Sequence, residues 1–135
     1  MVSPVGMRKK ISELVDKEIK EAKKGFPASI TLKLNSISDV SLVEKLNQAA
    51  AAGVEVNLII RGIYSAKKHT KKKQVSPYAI SIVDEYLEHA RVLVFHNAGN
   101  VLVYISSADW MVRNLDHRVE AACPVIDNDL KKELL

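Results

Sequence analysis

The sequence predicts an α/β fold, a mixed β-sheet flanked by helices, on three observations. Apolar residues follow helical spacing over residues 7–22 and strand alternation over 30–35, then repeat that order up to residue 60. Strand, helix and strand joined by short connections make a right-handed parallel crossover. Further on, "RVLVF" and "VLVYI" flank the turn "NAGN", which is an antiparallel hairpin. The 135 residues suit a single domain over residues 1–135.

The elements follow in order. Met7, Ile11, Leu14, Val15, Ile19 and Ala22 lie on one helical face, after Ser3-Pro4 and before Gly25. Ile30, Leu32 and Leu34 alternate with Thr31, Lys33 and Asn35 as a strand. Ser38 or Asp39 can cap a helix that turns Val43, Leu46 and Ala50 inward and stops at Gly53. Val54, Val56, Leu58 and Ile60 form the second, parallel strand, ending at Arg61-Gly62. Ser76-Pro77 is read as the start of a helix with Ala79, Ile82, Val83, Tyr86, Leu87 and Ala90 inward. A turn at Asn97–Asn100 then pairs His96 with Val101 and Arg91 with Ser106, and a last strand lies near 118–124.

Composition bounds the function. Hydrophobic residues make up 47% and charged ones 27%, ordinary for a soluble globular chain. No apolar run approaches the ~20 residues of a membrane span, and no signal peptide is read before the first helix. The single cysteine, Cys123, favours a reducing cytoplasm, and within "VEAACPVI" it reads as a buried inert thiol. Lys and Arg exceed Asp and Glu by 20 to 16. The excess is concentrated in "KKHTKKK", residues 67–73, which is either a solvated loop or a collar for polyphosphate, nucleotide or nucleic acid.

In parallel α/β units ligands gather beyond the carboxyl ends of the strands, where Asn35-Ser36 and Arg61-Gly62 fall. Arg61 there holds either a structural carboxylate or a phosphate. The hairpin register places His89 opposite Ala108, beside Ser107 and Asp109, with Arg91 and Glu120 near. Imidazole can carry a proton or a phosphoryl group, and arginine and serine can bind phosphoryl oxygens. His69, His96 and His117 read as caps or partly buried polar groups. Neither paired histidines nor clustered carboxylates suggest a metal site, and no Walker or dinucleotide glycine pattern occurs.

His89-Ala90-Arg91 entering a strand, then Ser106-Ser107-Ala108-Asp109, Asn114 and Glu120, resembles half of a phospholipase D-type site. The blocks "VSPVGMRKKISELVDKEI", "ITLKLNSISD", "AAAAGVEVNLIIRGI", "IVDEYLEHARV" and "VYISSADWMVRNLDHRVEAACPVID" resemble the bacterial polyphosphate kinase family in its last phospholipase D-like domain, over nearly the whole chain. The resemblance implies reversible transfer of the terminal phosphate of ATP to inorganic polyphosphate through a phosphohistidine. It implies magnesium accompanying the nucleotide, ATP/ADP and polyphosphate as partners, no nucleic acid, and a homo-oligomeric whole enzyme. Location would be cytoplasmic, with membrane association of the whole enzyme as a variant.

By position, the ATP-contacting arginine falls on Arg61 and the second active-site histidine on His89. Ser106, Asp109, Arg113, Asn114, Arg118 and Glu120 match the motif. With Asn35 and Arg91 they complete a candidate ATP/phosphate-binding set, in which His89 and Glu120 are the catalytic members. The phosphorylated histidine belongs to a preceding domain, so this chain is expected to be an inactive fragment. Tyr64-Ser65-Ala66, the lysine run and Ser76-Pro77-Tyr78 depart from the family's usual cysteine and Gly/Pro-rich loop. The alternatives are a phospholipase D-type phosphodiesterase and a non-catalytic polyanion-binding module.

Overall fold

The computed structural model describes residues 1–62, 78–81 and 89–135. The strands among them are β1 (Val2–Ser3), β2 (Ser29–Leu34), β3 (Glu55–Ile60), β4 (Tyr78–Ser81), β5 (Arg91–Phe95), β6 (Leu102–Ser106) and β7 (Glu120–Pro124). They form one mixed sheet in the order β1-β7-β6-β5-β2-β3-β4. β2, β3 and β4 are parallel, while β5, β6, β7 and β1 continue the sheet antiparallel. Helices α1 (Met7–Lys23) and α2 (Val40–Ala51) precede β2 and β3, and α3 (Asn128–Leu134) ends the chain.

Alternation decides which face is buried. Ile30, Leu32 and Leu34 of β2, and Val56, Leu58 and Ile60 of β3, pack with Leu93 and Phe95 of β5. Met7, Ile11, Leu14 and Val15 of α1, and Leu42, Val43, Leu46, Ala49 and Ala50 of α2, complete that core. A one-residue slip of β2 would turn all three of its core residues outward. At about 2 kcal/mol each the loss rivals the net stability of a domain, so the register is fixed.

The expected parallel pair and the hairpin are present, with Arg91 opposite Ser106 and Phe95 opposite Leu102. The turn holds a short 3₁₀ segment, Asn97–Gly99, in which His96 Nδ1 accepts from the Gly99 amide at 3.3 Å.

Three expectations are corrected. Tyr78–Ser81 is not helical; it pairs parallel with β3 from Asn57–Tyr78 to Ile60–Ser81, where otherwise unpaired backbone groups of a sheet edge are satisfied. Ala90 is exposed and non-helical, and the rest of that expected helix, like the lysine run and His69, lies outside the described residues. Cys123 is exposed, because strand alternation sends Ala122, 2% exposed, to the core and its neighbour to the other face. Finally, Ser3 does not cap α1, which begins at Met7 after Gly6; it belongs to β1 and is buried.

Candidate functional site

The site is assembled where β2 and β3 end. The Gly62 amide donates to the Asn35 carbonyl at 2.6 Å and the Arg61 amide to Leu34 at 3.3 Å, which brings the two strand ends together. A Cβ on Gly62 would stand 2.9 Å from the Asn35 carbonyl oxygen and 3.0 Å from Ser36 Oγ, so only glycine permits this approach. Arg61, half-buried, occupies the same edge.

The segment after β6 is stitched to this edge. Ile37 bridges to Trp110, whose carbonyl accepts from the Ser38 and Asp39 amides at 3.0 Å while its own amide donates to Ser36 at 3.2 Å. Asp109, 7% exposed, accepts at Oδ1 from the Asn35 amide (2.9 Å) and the Ser36 amide (3.2 Å). The same carboxylate receives Arg91 in two places, Nε on Oδ1 at 3.0 Å and Nη2 on Oδ2 at 3.3 Å. Arg91 in turn meets His89: Nη1 lies 3.4 Å from Nδ1 and Nη2 3.3 Å from Nε2. Both ring nitrogens are at the fork at once, so the imidazole lies along the guanidinium rather than aiming one nitrogen at it. Asp109, Arg91 and His89 therefore form a line running from the buried strand end to the surface.

A second cluster lies beyond Ala108. Ser107 Oγ donates to Glu120 Oε2 and accepts from the Ala121 amide at 3.1 Å. Glu120 Oε1 accepts from Asn114 Nδ2 at 2.9 Å, and Asn114 Oδ1 is buried with no hydrogen-bond partner among the described residues. Ser106 turns away to accept the Ala108 amide at 3.0 Å, so its hydroxyl shapes the bend.

Asn114 sits in a π turn, Arg113–His117, that the sequence did not signal. Such wide turns are uncommon and recur at functional sites. Arg113 opens the turn and Arg118 follows it, both exposed, with neither guanidinium paired among the described residues. Two groups near the amino terminus hold it. The Ser3 hydroxyl lies 2.7, 2.9 and 2.8 Å from the carbonyls of Asn114, Leu115 and Arg118. Arg8 reaches Asp116 through Nε at 2.8 Å and Nη2 at 2.7 Å, Asp39 at 2.6 Å and Ser41 at 3.0 Å.

Burial alone would raise the Asp39 carboxyl, but hydrogen bonds from Arg8, Ser41 and the Leu42 amide outweigh it and hold the group below its ordinary value. Asp116 is also lowered, chiefly by its bond to Arg8, against a smaller opposing effect of burial. Sequence reasoning missed Ser3, Arg8 and Asp116, since nothing local marks residues whose partners lie over 100 positions away.

Among the described residues no group of three His, Cys, Asp or Glu side chains is placed to hold a metal ion. Asp109 and Glu120 are both engaged by other side chains. A magnesium ion would thus have no ready protein cage in these residues.

Two solved structures share this architecture at low identity. NucT from Helicobacter pylori superposes with a TM-score of 0.65 at 15% identity, covering 99% of this chain and 89% of that one. Nuc from Salmonella typhimurium, a phospholipase D family member, gives 0.64 at 17%, covering 98% and 85%. The fold is of the phospholipase D class. The chain itself belongs to the family described as polyphosphate kinase C-terminal domain 2, whose model matches residues 1–135. It is 49% identical over its whole length to polyphosphate kinase of Escherichia coli K12 and 48% identical to that of Vibrio cholerae. Polyphosphate kinase from Porphyromonas gingivalis superposes on 99% of it with a TM-score of 0.90 at 41% identity. The chain spans about a fifth of the length of these relatives, 20% of the first and 19% of the second.

Proposed function

We propose that the chain is a phosphotransfer domain of a polyphosphate kinase, supplying one side of a site that moves the terminal phosphoryl group of ATP to inorganic polyphosphate and back. The observation that carries this reading is the convergence at one sheet edge of His89 on its Arg91–Asp109 support and of Glu120 with Asn114 and Ser107. Arg61, Arg113 and Arg118 lie on the segments that form this region. The relatives' name supplies the substrate class.

In the proposed reaction the bond from the terminal phosphorus to the ADP oxygen breaks, and the phosphoryl group passes through a phosphohistidine of another domain to the polymer end. Arg61 and the exposed arginines would offset the charge on the equatorial oxygens. Since Arg91 is already neutralised by Asp109, its role would be to seat His89 and share charge with it. His89 and Glu120 are the proposed catalytic groups; an imidazole there can pass a proton to the leaving oxygen. When present, magnesium would arrive on the nucleotide phosphates and neutralise them. Cytoplasmic residence and self-association of the whole enzyme are part of the same proposal. Among the described residues no helix is long and apolar enough to cross a membrane.

The test uses the full-length enzyme containing this chain. Arg61→Ala should raise the ATP requirement and lower turnover, with partial recovery in Arg61→Lys, which keeps the charge but loses the fork. His89→Gln should lower turnover by roughly 10²–10⁴ while ATP binding changes less. The isolated chain should make no polymer from ATP. Hydrolysis of a phosphodiester such as bis(p-nitrophenyl) phosphate by the isolated chain, without ATP, would replace this reading with the phosphodiesterase one.

A further inference from the structure

We infer that Arg8, far from the site in sequence and absent from the candidate set, is a positioning residue that fixes the π turn presenting Arg113, Asn114 and Arg118. The inference rests on the phosphotransfer reading for the role of those arginines, but not for the geometry that follows.

A π turn closes its ring through a longer loop than an α-helix, leaving carbonyls that the turn itself does not satisfy. Here the Arg118 amide reaches back to the Arg113 carbonyl at 3.0 Å, and the single hydroxyl proton of Ser3 lies within reach of the carbonyls of Asn114, Leu115 and Arg118. Leu115, fully buried, anchors one side of the turn in the core. The opposite side carries Asp116, whose carboxylate side chain is 38% exposed and would otherwise be loose. Arg8 grips it with two nitrogens and shares Nη2 with Asp39, only 3% exposed and bonded to the first turn of α2.

The planar fork of arginine makes this possible, because one guanidinium serves two carboxylates and the Ser41 hydroxyl in fixed directions. A lysine could neutralise either acid but could not set their relative position. The orientation of Arg113 and Arg118 is thereby referred to α1 and α2, which among the described helices supply the buried residues of the core. A ligand that binds several arginines at once gains most from such prior alignment, since less ordering is left for the moment of binding. A polyanion is such a ligand, and Arg8 would lower its Michaelis constant without touching it.

The experiment compares Arg8→Met, Asp116→Ala, their double variant and Arg8→Lys in the full-length enzyme. Three quantities are read: the KM and kcat for polyphosphate, the affinity for inorganic tripolyphosphate, and amide hydrogen exchange over residues 113–118. Each single change should raise KM and weaken tripolyphosphate binding by about tenfold to a hundredfold, leave kcat within about twofold, and speed exchange in that segment. The double variant should be no worse than the worse single, and Arg8→Lys should fall between. Should Arg8→Met fail to fold, Asp116→Ala, at an exposed position that leaves Arg8 on Asp39 and the Asp39 cap of α2 in place, still decides the matter. Losses in melting temperature with KM, tripolyphosphate affinity and exchange unchanged would overturn the inference, as would additive effects in the double variant. Absence of phosphotransfer in the unsubstituted enzyme would defeat the proposed function, yet exchange and tripolyphosphate binding would still decide the role of Arg8.

Discussion

Asp109 is an acid whose charge is spent on structure. It is nearly inaccessible, takes two backbone amides from the end of β2, and receives the Nε–Nη2 edge of the Arg91 guanidinium. Removing it takes an acceptor from those two amides and the paired carboxylate from a guanidinium whose side chain is 11% exposed. Asp109→Ala should therefore cost roughly 3 kcal/mol, readable as a lower urea midpoint, because a buried ion pair loses most when one partner is taken away. His89 should lose its seat in the same variant. From the sequence, Asp109 and Arg91 looked like two further phosphate contacts, since charged residues at a strand end invite that reading. Their mutual bidentate pairing depends on the hairpin register and on the path of Ser107-Ala108, and the register alone was legible. His89, Glu120 and Asn114 stood out through residue type and spacing. The bond between Glu120 and Ser107 arises because β7 closes against the chain just beyond β6, a long-range event with no local mark.

At the scale of elements, periodicity succeeded wherever a strand or helix had one buried face. β2, α2, β3 and the β5–β6 hairpin each present such a face to the core, and their order and pairing were readable. It failed at β4, an exposed edge strand of four residues in which no core face imposes a pattern. It also failed at the π turn, whose wide ring has no apolar signature, and at β1, two residues long. The joint between β2 and β3 depends on one small residue, and this can be tested. Gly62→Ala would drive a methyl group into the Asn35 carbonyl and Ser36 Oγ. Because the obstacle includes backbone, the strand ends must part, at a cost of about 1–3 kcal/mol. Arg61 would be displaced with them, so ATP affinity of the full-length enzyme should fall together with the melting temperature.

Across the whole molecule, the first residues complete what the last ones need. β1 pairs with β7 through Val2–Ala121 and Ser3–Glu120, and Ser3 sits beneath the π turn more than 110 positions further on. Deleting residues 1–5 would bare the β7 edge and leave three carbonyls without that hydroxyl. An unfilled buried polar group costs about 1–3 kcal/mol, so the melting temperature should drop by roughly 5 °C or more. A smaller change in differential scanning calorimetry would show that β1 only rests on the sheet. Trp110 gives a way of watching such changes. It is the only tryptophan in the chain, it is 1% exposed, and its backbone joins the loop after β2 to the polar segment after β6. Any loosening of that seam admits water to the indole, shifting its emission to the red and opening it to collisional quenchers. The protein thus carries its own optical gauge of whether the two halves of the candidate site are closed, and no attached dye is needed to read it.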